Sequence, residues 1–242
     1  MMSRATHYSR VLVPHRDTSA KPLLRRALCV VAAALTCMSH AADSETNSPI
    51  PHLQNMFVSA QAEYRSDPNN PEVAWKFART CFDRAEFPTN RSHRAELAGL
   101  GIEAAQSAIS QNSNAAAGHY YLAMNYGQLA RTKSLGALPL VDKMEIEFKR
   151  ARELDERFDH AGPDRNLGRL YFEAPALASV GDQGKARQHF KRASELEPDY
   201  PENRLNLIES AIRWKENERA RRELNTYEGK LKEARARFSG NA

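Results

Sequence analysis

Residues 186–201 read ARQHFKRASELEPDYP, and the spacing inside that stretch decides the fold. Ala186, Phe190 and Ala193 put small, large and small side chains on one helical face, and Pro198 stops the helix. Ala220, Leu224 and Tyr227 follow the same three at an offset of 34 residues. Two antiparallel helices approach closely only where a small residue leaves room for a large neighbour, so a fixed offset of this kind marks a repeated helix pair. Each pair leaves an apolar face that only the next pair can bury, which makes the unit one of a stack.

The other helix of such a pair carries a large residue, Leu, a small residue and an aromatic at its fourth, seventh, eighth and eleventh positions. His119, Leu122, Ala123 and Tyr126 fill them, and so do Asp164, Leu167, Gly168 and Tyr171. Arg204, Leu207, Ile208 and Ala211 fit less well, and Trp75, Ala78, Arg79 and Phe82 give a weaker fourth copy. This pattern resembles the tetratricopeptide repeat (TPR). It predicts an all-α, TPR-type α-solenoid of about four antiparallel helix pairs, over residues 71–115, 116–160, 161–200 and 201–234. Leu167 follows Leu122 by 45 residues and Leu207 follows Leu167 by 40, so the inter-helix segments are longer than a plain repeat needs. The surplus falls around Phe87 to Asn90, Thr132 to Leu140 and Ala174 to Gly181. The apolar run Leu135 to Leu140 either lengthens a helix end or covers a neighbouring helix or a ligand. His52 to Ser66 reads as an orphan helix ended by Asp67-Pro68, and Lys230 to Arg237 as a mixed-charge terminal helix that keeps the stack soluble.

Composition is that of an ordinary globular chain: 242 residues, 41% hydrophobic, 8% aromatic and 27% charged, which excludes collagen-like, disulfide-scaffold and largely disordered classes. The net charge of +5 is confined to one end. Residues 1–41 hold six basic side chains and one acidic one, and the rest holds 29 of each. A neutral body has no global field to draw in a polyanion, so no nucleic acid is expected as partner. Residues 27–38 (ALCVVAAALTCM) form a short apolar run after a basic stretch, followed by Ser39-His40-Ala41. That is the pattern of a secretory signal peptide cut after Ala41, leaving residues 42–242 as a periplasmic or secreted domain with no transmembrane segment. Leu35-Thr36 before Cys37 is a poor lipid-attachment site, so no lipid anchor is expected. Cys81 then stands alone, between aromatics on a helix, and reads as a small buried hydrophobe.

Chemistry is thin. There is no phosphate-cradling G-x-x-x-x-G-K-[ST] and no G-x-S-x-G elbow. His52, His93, His119, His160 and His189 include no i, i+4 zinc pair, and the acidic stretch Asp155, Asp159, His160, Asp164 reads as a solvated helix end. No catalytic residue, metal or cofactor is expected, and the protein reads as a non-enzyme.

Binding is where the sequence offers positions. In a TPR stack the first helices line a concave face. Tyr120, Met124 and Gln128 fall there in one unit, Arg165, Arg169, Phe172 and Glu173 in the next, and Glu202, Glu209, Ile212 and Arg213 in the last. Arginines and tyrosines carry much of the energy at interfaces, and paired Arg165 and Arg169 would grip a carboxylate. An internal reading has equal weight: Arg165 and Arg169 pair with Glu202 and Glu209 across the groove.

Residues 161–171 (AGPDRNLGRLY), Ala174-Pro175, Lys185-Ala186-Arg187 and residues 199–205 (DYPENRL) resemble the T-component family of periplasmic proteins associated with TRAP transporters. The resemblance implies an exported helical scaffold that self-associates as a homo-oligomer and docks a protein or peptide partner, a periplasmic solute-binding protein being the family's example. It also implies the alternative of a carrier passing a small apolar ligand through an oligomeric assembly.

Overall fold

The computed structural model describes residues 49–133, 136–177 and 179–239, within the compact unit Pro49–Ala242. The expected signal peptide, Cys29, Cys37 and Leu135 lie outside the described residues. Among the described residues the chain forms nine helices and no strand: α1 Pro49–Ser66, α2 Pro71–Ala85, α3 Arg91–Gln111, α4 Ala116–Ala130, α5 Leu138–Leu154, α6 Phe158–Glu173, α7 Gln183–Leu196, α8 Pro201–Arg213 and α9 Asn217–Ser239. The fold is an all-α TPR-type solenoid in which α2 pairs with α3, α4 with α5, α6 with α7 and α8 with α9. α1 packs on α2, with Phe57 and Tyr64 against Phe77 at ring distances of 5.6 and 5.2 Å.

Local chemistry sets the helix starts. Asn70 caps α2 by accepting from the Glu72 and Val73 amides, with Pro71 at the first helical turn, where its missing N–H costs nothing. Asn90 caps α3 through the His93 amide, and Asp182 caps α7 through the Lys185 amide, both at 2.9 Å. The apolar run before α5 resolves as a helix start: Leu138 and Pro139 open the helix, Leu138 stays exposed and Leu140 packs against the core.

Small residues let the helices close. A Cβ on Gly168 of α6 would stand 2.5 Å from the Phe190 ring of α7, so only glycine admits this contact. The remaining core is made of the repeat positions, with Ala78, Cys81, Ala104, Ala123, Leu167 and Ala186 all fully buried. Burial pushes the Cys81 thiol far up, so it is a packing group and not a nucleophile.

α6 begins with a departure from helical geometry. Asp159, His160 and Ala161 take φ values of 50, 57 and 60°, three consecutive residues in the left-handed region, before Pro163 restarts a right-handed helix. For L-residues that conformation costs roughly 1–2 kcal/mol each, so other contacts must hold it.

Candidate functional site

The first helices of successive pairs lie side by side. Trp75 of α2 stacks on Tyr121 of α4 at 5.8 Å, Asn166 of α6 donates to the Tyr120 hydroxyl of α4 at 2.9 Å, and Arg169 of α6 donates to Glu209 of α8 at 2.7 Å. Among the eleven residues assigned to this face, two groups stand out.

Tyr120, Gln128 and Arg165 are buried, at 1%, 1% and 4% exposure, and do not line an open surface. The left-handed turn accounts for two of them. The Arg165 guanidinium donates to the Asp159 and His160 carbonyls, each at 3.0 Å, and to the Asp159 carboxylate at 2.8 Å. It lies 3.6 Å from Glu202 and over the Tyr200 ring at 4.8 Å. Tyr120 donates its hydroxyl to the Asp159 carboxylate at 2.6 Å, and its ring packs between Phe148 and Phe158. The Tyr120 hydroxyl would stand 2.7 Å from a Cβ on Gly162, which explains a glycine immediately after the turn. Asn203 completes the knot by donating to the His160, Ala193 and Glu197 carbonyls. Burial drives the Tyr120 pKa well above its usual value and keeps the phenol protonated as a donor. For Arg165, burial alone would lower the pKa; the hydroxyl of Tyr120 and the carboxylates of Glu202 and Asp159 outweigh it and hold the charge. Gln128 sits elsewhere, accepting from Arg94 at 3.0 Å and donating to Glu86.

Arg169, Glu173, Glu209 and Arg213 form the second group and are exposed or half-exposed. Arg169 meets Glu209 at 2.7 Å and Glu173 at 3.8 Å, and Arg213 meets Glu173 at 3.1 Å and Glu209 at 3.5 Å. The four make a closed lattice of alternating charge between α6 and α8. Phe172 lies half-buried beneath, with the Arg213 guanidinium 4.0 Å above its ring and Trp214 against its edge at 5.5 Å. Met124 and Ile212 are half-buried, and Glu202 is exposed beside Arg165 and Tyr200. Both arginines therefore reach the carboxylates that the internal reading names, Glu202 and Glu209, and a joint grip by Arg165 and Arg169 does not form.

Several residues escaped the sequence reading. Asn206 accepts from Arg169 at 3.1 Å; it stands 40 residues after Asn166, the same offset that relates Leu167 to Leu207, and that spacing was the available signal. The acidic run read as a solvated helix end divides: Asp155 and His160 are exposed, whereas Asp164 is fully buried, bonded to Arg152 at 3.1 Å and His189 at 2.6 Å, and Asp159 anchors the turn. Among the described residues, no group of His, Cys, Asp and Glu has the arrangement of a metal site, and no helix is long and apolar enough to cross a membrane.

Comparison with known proteins agrees with this architecture. Residues 38–137, under half of the chain, match the family described as Regulator of microtubule dynamics protein 1-3. Among solved structures, a thermophilic TPR protein of Thermus thermophilus is similar, with a TM-score of 0.60 and 18% identity over 90% of this chain and 95% of that one. MamA is also similar, with a TM-score of 0.53 and 14% identity over 76% of this chain and 91% of that one. No curated protein sequence matches. Identities this low establish the fold alone, a TPR-like solenoid.

Proposed function

We propose that this chain is an exported, non-catalytic TPR adaptor that binds a protein or peptide partner along α4, α6 and α8, in the manner of the periplasmic T-component proteins it resembles. The observation that carries the reading is the charge lattice over Phe172. Exposed ion pairs contribute only ~0–1 kcal/mol each to a fold, so Arg169, Glu173, Glu209 and Arg213 exchange their internal partners for those of a ligand at small cost. Lifting the Arg213 guanidinium off Phe172 uncovers an aromatic anchor beside a cation, residue types enriched at interfaces. Export rests on the basic and apolar organisation of residues 1–41.

Site-specific photocrosslinking tests the face. A benzophenone side chain at Glu173 or Glu209 is expected to give one discrete adduct, whereas the same probe at Lys191 on α7 gives none. Adducts formed only from Lys191 would overturn the assignment. Osmotic-shock fractionation tests the address: the chain should appear in the periplasmic fraction with Ala42 at its N-terminus.

A further inference from the structure

Pro88, Asn90, Arg91, Arg94 and Arg131 surround an open cavity of about 320 Å³, away from the charge lattice. Its walls come from two repeat pairs: the α2–α3 connection and the first turn of α3 on one side, and the residue that ends α4 on the other. Three arginines therefore line one space. Glu86 stands beside Arg131, accepting from it at 2.9 Å and from Gln128. Arg94 reaches no carboxylate within ion-pairing distance among the described residues; its guanidinium donates to the neutral Gln128 amide oxygen at 3.0 Å.

The charges are held at a cost. Burial, and then the nearby positive charge of Arg131, lower the pKa of Arg94, and Glu86 only partly offsets them. An anion placed between Arg94 and Arg131 relieves that repulsion and accepts charge-assisted hydrogen bonds from their forks. Asn90 caps α3 through the His93 amide, and the positive charge of the pocket is carried by side chains. The volume is that of a small-molecule site, larger than a bare inorganic ion needs.

We propose that this cavity is a binding site for a small organic oxyanion, a phosphate monoester or a polycarboxylate, gripped by Arg94 and Arg131. None of its lining residues belongs to the Arg169–Arg213 lattice.

Isothermal titration calorimetry of the full chain at low salt, with citrate, phenyl phosphate and inorganic phosphate as probes, tests it. Saturable one-to-one binding is expected for citrate or phenyl phosphate, tighter than for inorganic phosphate. Whichever of the two organic anions binds more tightly identifies the ligand's headgroup. Arg94→Gln and Arg131→Gln should each weaken binding at least about tenfold, about 1.4 kcal/mol. Arg94→Lys should weaken it too, because an ammonium lacks the fork. Arg192→Gln on α7, which removes the same charge far along the chain, should leave it unchanged. Absence of saturable binding by all three probes overturns the site. Equal affinity in Arg94→Gln and Arg131→Gln also overturns it, by placing the anion elsewhere. Unfolding midpoints near that of the parent chain certify that each variant is folded.

Discussion

Arg165 and Arg169 stand one helical turn apart on α6 and have opposite fates. Arg165 is 4% exposed and fixed to a strained backbone turn by hydrogen bonds to both carbonyls and to the Asp159 carboxylate, with Glu202 alongside. The Arg169 side chain is 41% exposed and shares two carboxylates with Arg213. The same chemical group is structural in one place and exchangeable in the other, because removing a buried charge strands its partners whereas an exposed one leaves them to water. A binding face of this kind is read from what each arginine already holds, and not from where it falls in the repeat.

That contrast can be broken by experiment. Arg165→Ala should have the largest effect, a loss of roughly 3 kcal/mol, the low end for a broken buried pair because Asp159 is itself partly exposed. Urea denaturation measures it, and an unchanged midpoint would refute the structural role. Tyr120→Phe removes one donor to Asp159 and leaves the rings in place, so a loss of about 1–2 kcal/mol is expected in the same titration.

His119 offers an intermediate case with a pH signature. Its Nδ1 lies 2.6 Å from Glu147, joining α4 to α5, and this hydrogen bond raises its pKa above the ordinary 6.5 against the opposing effect of burial. Because the folded-state pKa is raised, protonated His119 stabilises the fold; the contribution is complete below pH 6.5 and is lost as pH rises through the raised value. Stability curves of the parent chain and His119→Gln should therefore diverge at low pH and converge at high pH. Parallel curves would show that the pair is not coupled to folding. Arg169→Ala should have the smallest effect, within about 1 kcal/mol of the parent and weaker still at high salt. A larger loss would mean that the lattice supports the fold and is not free to exchange.

The repeat itself was legible in the sequence. Ala186, Phe190 and Leu167 announce helix pairs because close packing demands small and large residues at fixed spacing, and α1 was marked at its end by Asp67-Pro68. The contents of the face were only half legible. Repeat position places Arg165 and Tyr120 correctly on first helices, but three left-handed residues without a glycine among them rotate their hydrogen bonds inward. Nothing in the local pattern of Asp159-His160-Ala161 signals that conformation; contacts from Tyr120 and Asn203, 39 and 43 residues away from their acceptors, impose it. Asp164 was misread for the same reason, since its partners Arg152 and His189 lie on other helices.

The three left-handed residues also act as the phase-setter of the solenoid. A right-handed helix turns about 100° with each residue, so the length of this hinge fixes which stripe of α6 meets its neighbours. Shortening it by one residue would carry Arg169 into the place of Gly168, against Phe190, and turn the packed stripe outward. The identity of the outward-facing charges on α6 is thus written in the length of a bend that precedes them, and insertions tolerated in the long connections of this chain would be intolerable there.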